Sequence, residues 1–224
     1  MKYKKIREGI FIRRPNRFIA DVKIDGKTEI CHVKNTGRCK ELLIPGAKVF
    51  LEESDNPCRK TKYDLVSVFK GEALVNIDSS APNKVFYEWA PSYFGKDARV
   101  FPEKKYKNSR FDFYIEKGER KIFVEVKGVT LEEKSVAKFP DAPTERGVKH
   151  IKELADATKN GYEGYIFFVV QMKGIKLFTP NYETHQAFGE MLKEAKKVGV
   201  NVMCADCIVT SDTLCIDKFV KISL

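Results

Sequence analysis

Asp112 in SRFDFYI and Glu125-Val126-Lys127 in KIFVEVKG are the residues of this 224-residue chain whose types and spacing best suit chemistry. Phe111, Phe113 and Ile115 alternate with Asp112 and Tyr114, and Ile122-Phe123-Val124 is a short apolar run, so both segments read as strands. The intervening EKGER reads as a turn, and strands joined this way are normally antiparallel neighbours. Asp112 and Glu125 then lie side by side on a sheet, and period-two alternation puts Glu125 and Lys127 on one face. Two carboxylates give a hard cation the oxygen ligands it needs: Mg²⁺, with Mn²⁺ as the alternative. A lysine beside them orients an attacking water and stabilises charge on a phosphodiester. Asp112 and Glu125 are therefore the expected metal ligands, with the Val126 carbonyl as a third oxygen and Lys127 as the catalytic amine.

This spacing resembles that of the PD-(D/E)xK nucleases, with Glu125-x-Lys127 as their E-x-K half. The tripeptide alone is common, and its bland reading is an ion pair on a solvated strand. The elements that would position it add weight. A helix over Val85–Ala90 is expected to stop at Pro91, followed by strands over 98–107, 109–116 and 121–127. Lys134–Thr144 reads as a loop. Gly147–Lys159 is an amphipathic helix with Val148, Ile151, Leu154, Ala155 and Thr158 on one face. YIFFVVQM (165–172) is a buried central strand, Gln186–Val198 a second amphipathic helix, and Val200–Val209 a last β segment. Helix–strand–strand–strand–helix–strand is the core of that nuclease fold, with Asp112 and Glu125 on its second and third strands.

Two further catalytic candidates follow from this order. Glu88 would reach the metal from the first helix; its plain alternative is an exposed helix acid. Gln171 would sit beside the Glu-x-Lys strand; its plain alternative is a hydrogen-bonded core amide. In FPDAPTERGVKH (139–150), Thr144 can cap the following helix, whose free N–H groups suit phosphate. Arg146 and Lys149 are expected to clamp a DNA backbone there. Asp141, Glu145 and His150 are second-tier site residues in the same cluster.

Residues 1–80 are dense in short strands: Gly9–Arg13, Arg17–Ile24, Thr28–Val33, Ala47–Glu52, Asp64–Phe69 and Ala73–Ile77. Asp25-Gly26 between alternating apolar runs signals a hairpin, and Gly37–Leu43 reads as a short helix. These elements fit a small closed barrel of OB type. Asp78–Asn83 reads as the linker to a second domain over 84–224. The expected architecture is thus an N-terminal OB-like β-barrel followed by a restriction-endonuclease-like α/β domain. Arg14, Arg17, Arg38, Lys40, Arg59, Lys60 and Lys62 cluster in barrel loops, where basic groups track a phosphate chain.

The net charge of +10 leans toward the first 80 residues and suits a polyanion, most often nucleic acid. No apolar run approaches a membrane span, and no apolar segment follows the basic start MKYKKIREGIFIRR, so a cytoplasmic location is expected. The six cysteines then read as reduced thiols. Cys204, Cys207 and Cys215 could form half a metal site, but a second Cys/His pair nearby is lacking.

RPNRFIADV (14–22), NTGRCKELLIPG (35–46), RKTKYDLVSV (59–68), NIDSSAPNKV (76–85), NSRFDFYI (108–115), VEVKGVTL (124–131) and FPDAPTERGVKHIKEL (139–154) together resemble the SfsA, or sugar fermentation stimulation protein, family over nearly the whole chain. The resemblance implies an OB-like domain, a nuclease-like domain, DNA binding and a role in sugar use, maltose in particular. Three functions stay open: a Mg²⁺-dependent nuclease acting on DNA; a non-catalytic, largely sequence-nonspecific DNA-binding regulator that kept a nuclease fold; and sugar or nucleotide binding by the barrel.

Overall fold

The computed structural model describes residues 1–35 and 37–224. Its first half is a closed barrel of five strands. These are β1 (Ile6–Asn16), β2 (Ile19–Ile24), β3 (Lys27–Val33), β4 (Lys48–Glu53) and β5 (Tyr63–Lys70), and β6 (Ala73–Asn76) adds to the edge of β5. Asp25 and Gly26 both take positive φ, 48° and 80°, which makes the tight β2–β3 hairpin possible. Parallel pairing of His32 with Asp64 and Val33 with Leu65 closes the ring between β3 and β5. Phe11, Val22, Leu51, Leu65 and Val68 fill the interior.

One local expectation changes here. Gly37–Leu43 is a turn rather than a helix: Cys39 has φ 45°, and the Leu42 and Leu43 N–H groups both bond the Cys39 carbonyl. The first residues bridge the two halves: the Tyr3 hydroxyl accepts from Asn76 Nδ2 of β6 at 2.9 Å, while its main chain and Met1 reach the second domain. The Met1 ammonium donates to Leu214 O at 2.7 Å, and Tyr3 N–H to Asp212 O at 2.7 Å.

The second half opens with α1 (Ala81–Phe94), then β7 (Arg99–Tyr106), β8 (Ser109–Lys117) and β9 (Arg120–Val129). Pro91 lies inside α1 instead of ending it. Ala90 and Phe94 are buried with Val85 and Phe86, and that packing carries the helix through the lost hydrogen bond. β10 (Leu131–Glu133) precedes the expected Lys134–Thr144 loop, and β11 (Val136–Phe139) replaces part of it. β11 is ordered by parallel pairing with β13 (Leu177–Pro180) and by burial of Ala137. α2 (Glu145–Lys159), β12 (Glu163–Val170), α3 (Tyr182–Lys197), β14 (Asn201–Val209), β15 (Leu214–Phe219) and β16 (Lys221–Ile222) complete the chain.

The main sheet runs β15-β14-β12-β9-β8-β7, with β12 parallel to both neighbours. A smaller sheet, β10-β11-β13-β16, lies beside it. Val85, Phe86 and Phe94 of α1 pack with Phe113, Val124 and Phe167 on one face of the main sheet. Leu154 of α2 and Leu192 of α3 pack with Phe123 and Phe168 on the other. Cys204 and Cys207, an odd number of residues apart on β14, join these opposite cores, so they do not form a ligand pair.

Barrel and second domain are joined at several points, among them Lys70 Nζ donating to Glu132 O at 2.6 Å. The Asn76 N–H donates to Gln171 O and the Gln171 N–H to Val129 O, each at 2.9 Å. The Asn35 side-chain amide donates to Ile77 O at 2.9 Å.

Candidate active site

β8 and β9 pair antiparallel as far as Phe113↔Val124, one position short of Asp112 and Glu125. Beyond it the ladder is continued by a side chain: Asp112 Oδ2 accepts the Val126 N–H at 2.8 Å. Asp112 Oδ1 accepts from Asn83 Nδ2 of α1 at 3.0 Å. Glu125 and Lys127 share a face as period two requires, and the Lys127 ammonium bonds Glu125 Oε1. His150, on the first turns of α2, donates from Nδ1 to the same oxygen at 2.5 Å. Arg146 Nε lies 3.5 Å from the other ring nitrogen of His150, so a guanidinium, an imidazole and a carboxylate form one row.

Glu125 is 2% exposed, and its second oxygen, Oε2, is buried without a hydrogen-bond partner. An unpartnered carboxylate oxygen at such depth costs free energy, and buried polar atoms are otherwise almost always paired. Burial pushes the Glu125 carboxyl up. The His150 hydrogen bond and the Lys127 charge outweigh burial and hold the group below the usual carboxylate range. For Asp112, burial and the neighbouring Glu125 charge outweigh Lys127, Val126 N–H and Asn83, so its carboxyl is held above that range. The two acids are therefore shifted in opposite directions.

These groups line a cleft of about 270 Å³ with Ser79, Arg110, Thr144 and Arg146. The cap of α2 forms its wall, Thr144 Oγ1 accepting the Gly147 N–H at 3.0 Å. Among the described residues no set of three or more His, Cys, Asp or Glu forms a metal cage. Two acids, one with a vacant lone pair, fit a hard cation that takes its remaining ligands from carbonyl, water or phosphate oxygens.

Asp112, Glu125, Lys127, Arg146 and His150 are thus brought together. Glu88 is not: its side chain is largely exposed and pairs with the Met1 ammonium at 2.7 Å. The α1 residue at the site is Asn83. Gln171 is a core amide at the domain junction, its Nε2 donating to Asn76 Oδ1 at 2.9 Å and to Asp78 O at 3.0 Å. Lys149 points along α2 toward Glu153, 3.9 Å away, and Glu145 is exposed beside His185. Asp141 lies next door, in a cavity of about 350 Å³.

The barrel cations divide similarly. Arg17, Arg38 and Lys40 are exposed around a basic pocket of about 630 Å³, which Arg13 also lines. Arg14 reaches that pocket, but its guanidinium is spent on the carbonyls of Arg17, Asn35, Gly37 and Arg38, at 2.6–2.9 Å. It is a framework residue. Arg59 is held by Asp64, Lys62 pairs with Glu53 at 3.1 Å, and neither they nor Lys60 line the pocket. Ser79, Asn83 and Arg110 carried no pattern that singled them out beforehand.

A closed OB barrel joined to an α/β domain that carries a buried acid–lysine cleft defines the class of protein. Residues 12–77 match the model for the SfsA N-terminal OB domain, and residues 80–213 that for the sugar fermentation stimulation protein RE domain. A sugar fermentation stimulation protein homolog of Desulfitobacterium hafniense is 61% identical over 225 residues, covering 100% of this chain and 99% of that one. One from Ruminiclostridium cellulolyticum is 58% identical and covers both chains completely. The structure of Pyrococcus furiosus SfsA in complex with Ca²⁺ superposes with a TM-score of 0.89 at 28% identity, over 100% of this chain and 98% of that one. The chain belongs to the SfsA family. No helix among the described residues is long and apolar enough to cross a membrane.

Proposed function

We propose that this protein is a divalent-metal-dependent nuclease that acts on DNA. The observation that carries the reading is the buried, unpartnered Oε2 of Glu125 in a cleft shared with Asp112 and Lys127. The Ca²⁺ complex of Pyrococcus furiosus SfsA supports it, because Ca²⁺ is a hard cation of the same ligand class as Mg²⁺. With β10 and β11 set apart in the smaller sheet, the order α1, β7, β8, β9, α2, β12 around the main sheet also accords with a PD-(D/E)xK nuclease.

Asp112 and Glu125 would hold Mg²⁺ or Mn²⁺, which would neutralise charge at the scissile phosphate. Asn83 and the Val126 N–H fix the Asp112 carboxylate, and His150 fixes that of Glu125. Lys127 orients the attacking water and takes up developing negative charge. Arg110 and Arg146 line the cleft and bind the flanking phosphates.

The test is incubation of purified protein and Mg²⁺ or Mn²⁺ with supercoiled, linear, single-stranded and branched DNA. Cleavage is expected, with loss of about 10²–10⁴-fold in Lys127→Ala. Intact DNA in every lane sinks the nuclease reading. The alternative, DNA binding without cleavage in a regulator of sugar metabolism, is favoured by the basic pocket lying wholly within the barrel.

A further inference from the structure

The carboxylate cleft, the cavity holding Asp141 and the basic barrel pocket are neighbours that share lining residues. Ser79, Phe139 and Thr144 line both the cleft and the middle cavity. Gly37 lines both the middle cavity and the barrel pocket. A Cβ at Gly37 would stand 2.8 Å from Asp141 Oδ2 and 2.9 Å from Asn35 Oδ1, so only glycine lets these two side chains approach the crossing so closely. Arg38 marks the same crossing, donating from the barrel to Asp141 O at 3.3 Å.

The charges along this path are graded. Arg13, Arg17, Arg38 and Lys40 surround one end, and Arg110, Lys127 and Arg146 the other. The middle walls are polar or apolar, with Asn35, Ser79 and Thr130 facing Leu131, Phe139 and Pro140, and carry one acid and one lysine, Asp141 and Lys138. That lining suits a sugar and a base edge, while both ends suit phosphate. The middle cavity of about 350 Å³ is at the small end of sites for a single organic group. A base pair with two backbones does not enter a space of that size, whereas one nucleotide does.

We infer that the three cavities form a track for a single nucleic-acid strand, threaded from the barrel pocket through the domain junction to the acid–lysine cleft. This rests on the nuclease reading for what happens at the cleft, but not for binding along the track. The substrate class that follows is single-stranded DNA, or duplex DNA with an unpaired end or flap.

The test is fluorescence anisotropy in Ca²⁺ with a labelled single strand and a blunt hairpin duplex of equal length. Ala142→Trp and Leu131→Trp, on the middle cavity, are compared with wild type, and their melting temperatures are measured alongside. Each plug is expected to weaken single-strand binding at least tenfold while changing hairpin binding less than twofold. Both plugs binding the single strand as wild type does overturns the track, as does equal loss of both DNAs in variants that melt normally. Should one plug fail to fold, the other decides. Cleavage in Mg²⁺ is scored separately: a discriminating plug in a protein that cuts nothing leaves the track standing and removes the nuclease assignment.

Discussion

His150 Nδ1 sits 2.5 Å from Glu125 Oε1, so a residue on the first turns of α2 sets the rotamer of an acid on β9. The other oxygen of that acid is thereby left aimed and unpartnered in the protein interior. His150→Ala removes the orienting bond without touching the proposed ligands. Divalent-ion affinity is expected to fall about 10–100-fold, the usual cost of losing an outer-shell partner. Calorimetric titration with Ca²⁺ or Mn²⁺ checks this, and unchanged affinity would remove His150 from the site.

Arg14 supports its loop rather than a ligand. Arg14→Ala strands four carbonyls and is expected to cost about 3 kcal/mol in urea unfolding. Arg14→Lys should recover little, because one ammonium cannot reproduce the fork. Arg17→Ala, a few residues away and exposed, should leave stability within about 0.5 kcal/mol.

Arg17 and Lys40 are expected to act through phosphate. Measured against salt, the logarithmic binding slope should shrink by about 0.7 per removed charge on a single strand, or about 0.9 on duplex. A double alanine variant whose slope matches wild type would show that the barrel pocket does not grip the backbone.

Asp64 gives the barrel an acid-side stability limit. Burial pushes its carboxyl up, but hydrogen bonds from Arg59 and His32 outweigh burial and leave it below the usual range. A group depressed in the folded state stabilises above its unfolded value, near 3.9, and that contribution is lost as pH falls through the folded value. Asp64→Asn should therefore lower stability by about 2 kcal/mol at pH 7. The gap to wild type should close as pH falls below the usual carboxylate range and through the depressed folded value. Parallel melting curves at neutral and acid pH test it; a gap that persists in acid points to packing instead of charge.

The convergence of Asp112, Glu125 and Lys127 was legible because strand alternation and a short connection are local rules. The barrel was legible for the same reason, through its turn residues and alternating runs. Glu88 was not. On α1 it stands five residues from Asn83, roughly 140° around the helix. Phe86, Tyr87, Trp89 and Tyr93 spread aromatic character over several faces, so the sequence does not say which face meets the sheet. The bonding of Gln171 and Arg14 was hidden for another reason. Their partners, mostly main-chain carbonyls with the Asn76 side chain, are brought close only by domain docking or loop closure, and no residue pattern encodes those. His150 was placed in the right cluster, but its contact with Glu125 depends on how α2 seats against β9.

The backbone stitch between Asn76 and Gln171 makes the two halves of the molecule one caliper. Jaws held at a fixed spacing would measure length. If a strand end lodges in one and is severed at the other, fragments should leave in a narrow size class set by the frame, whatever their sequence.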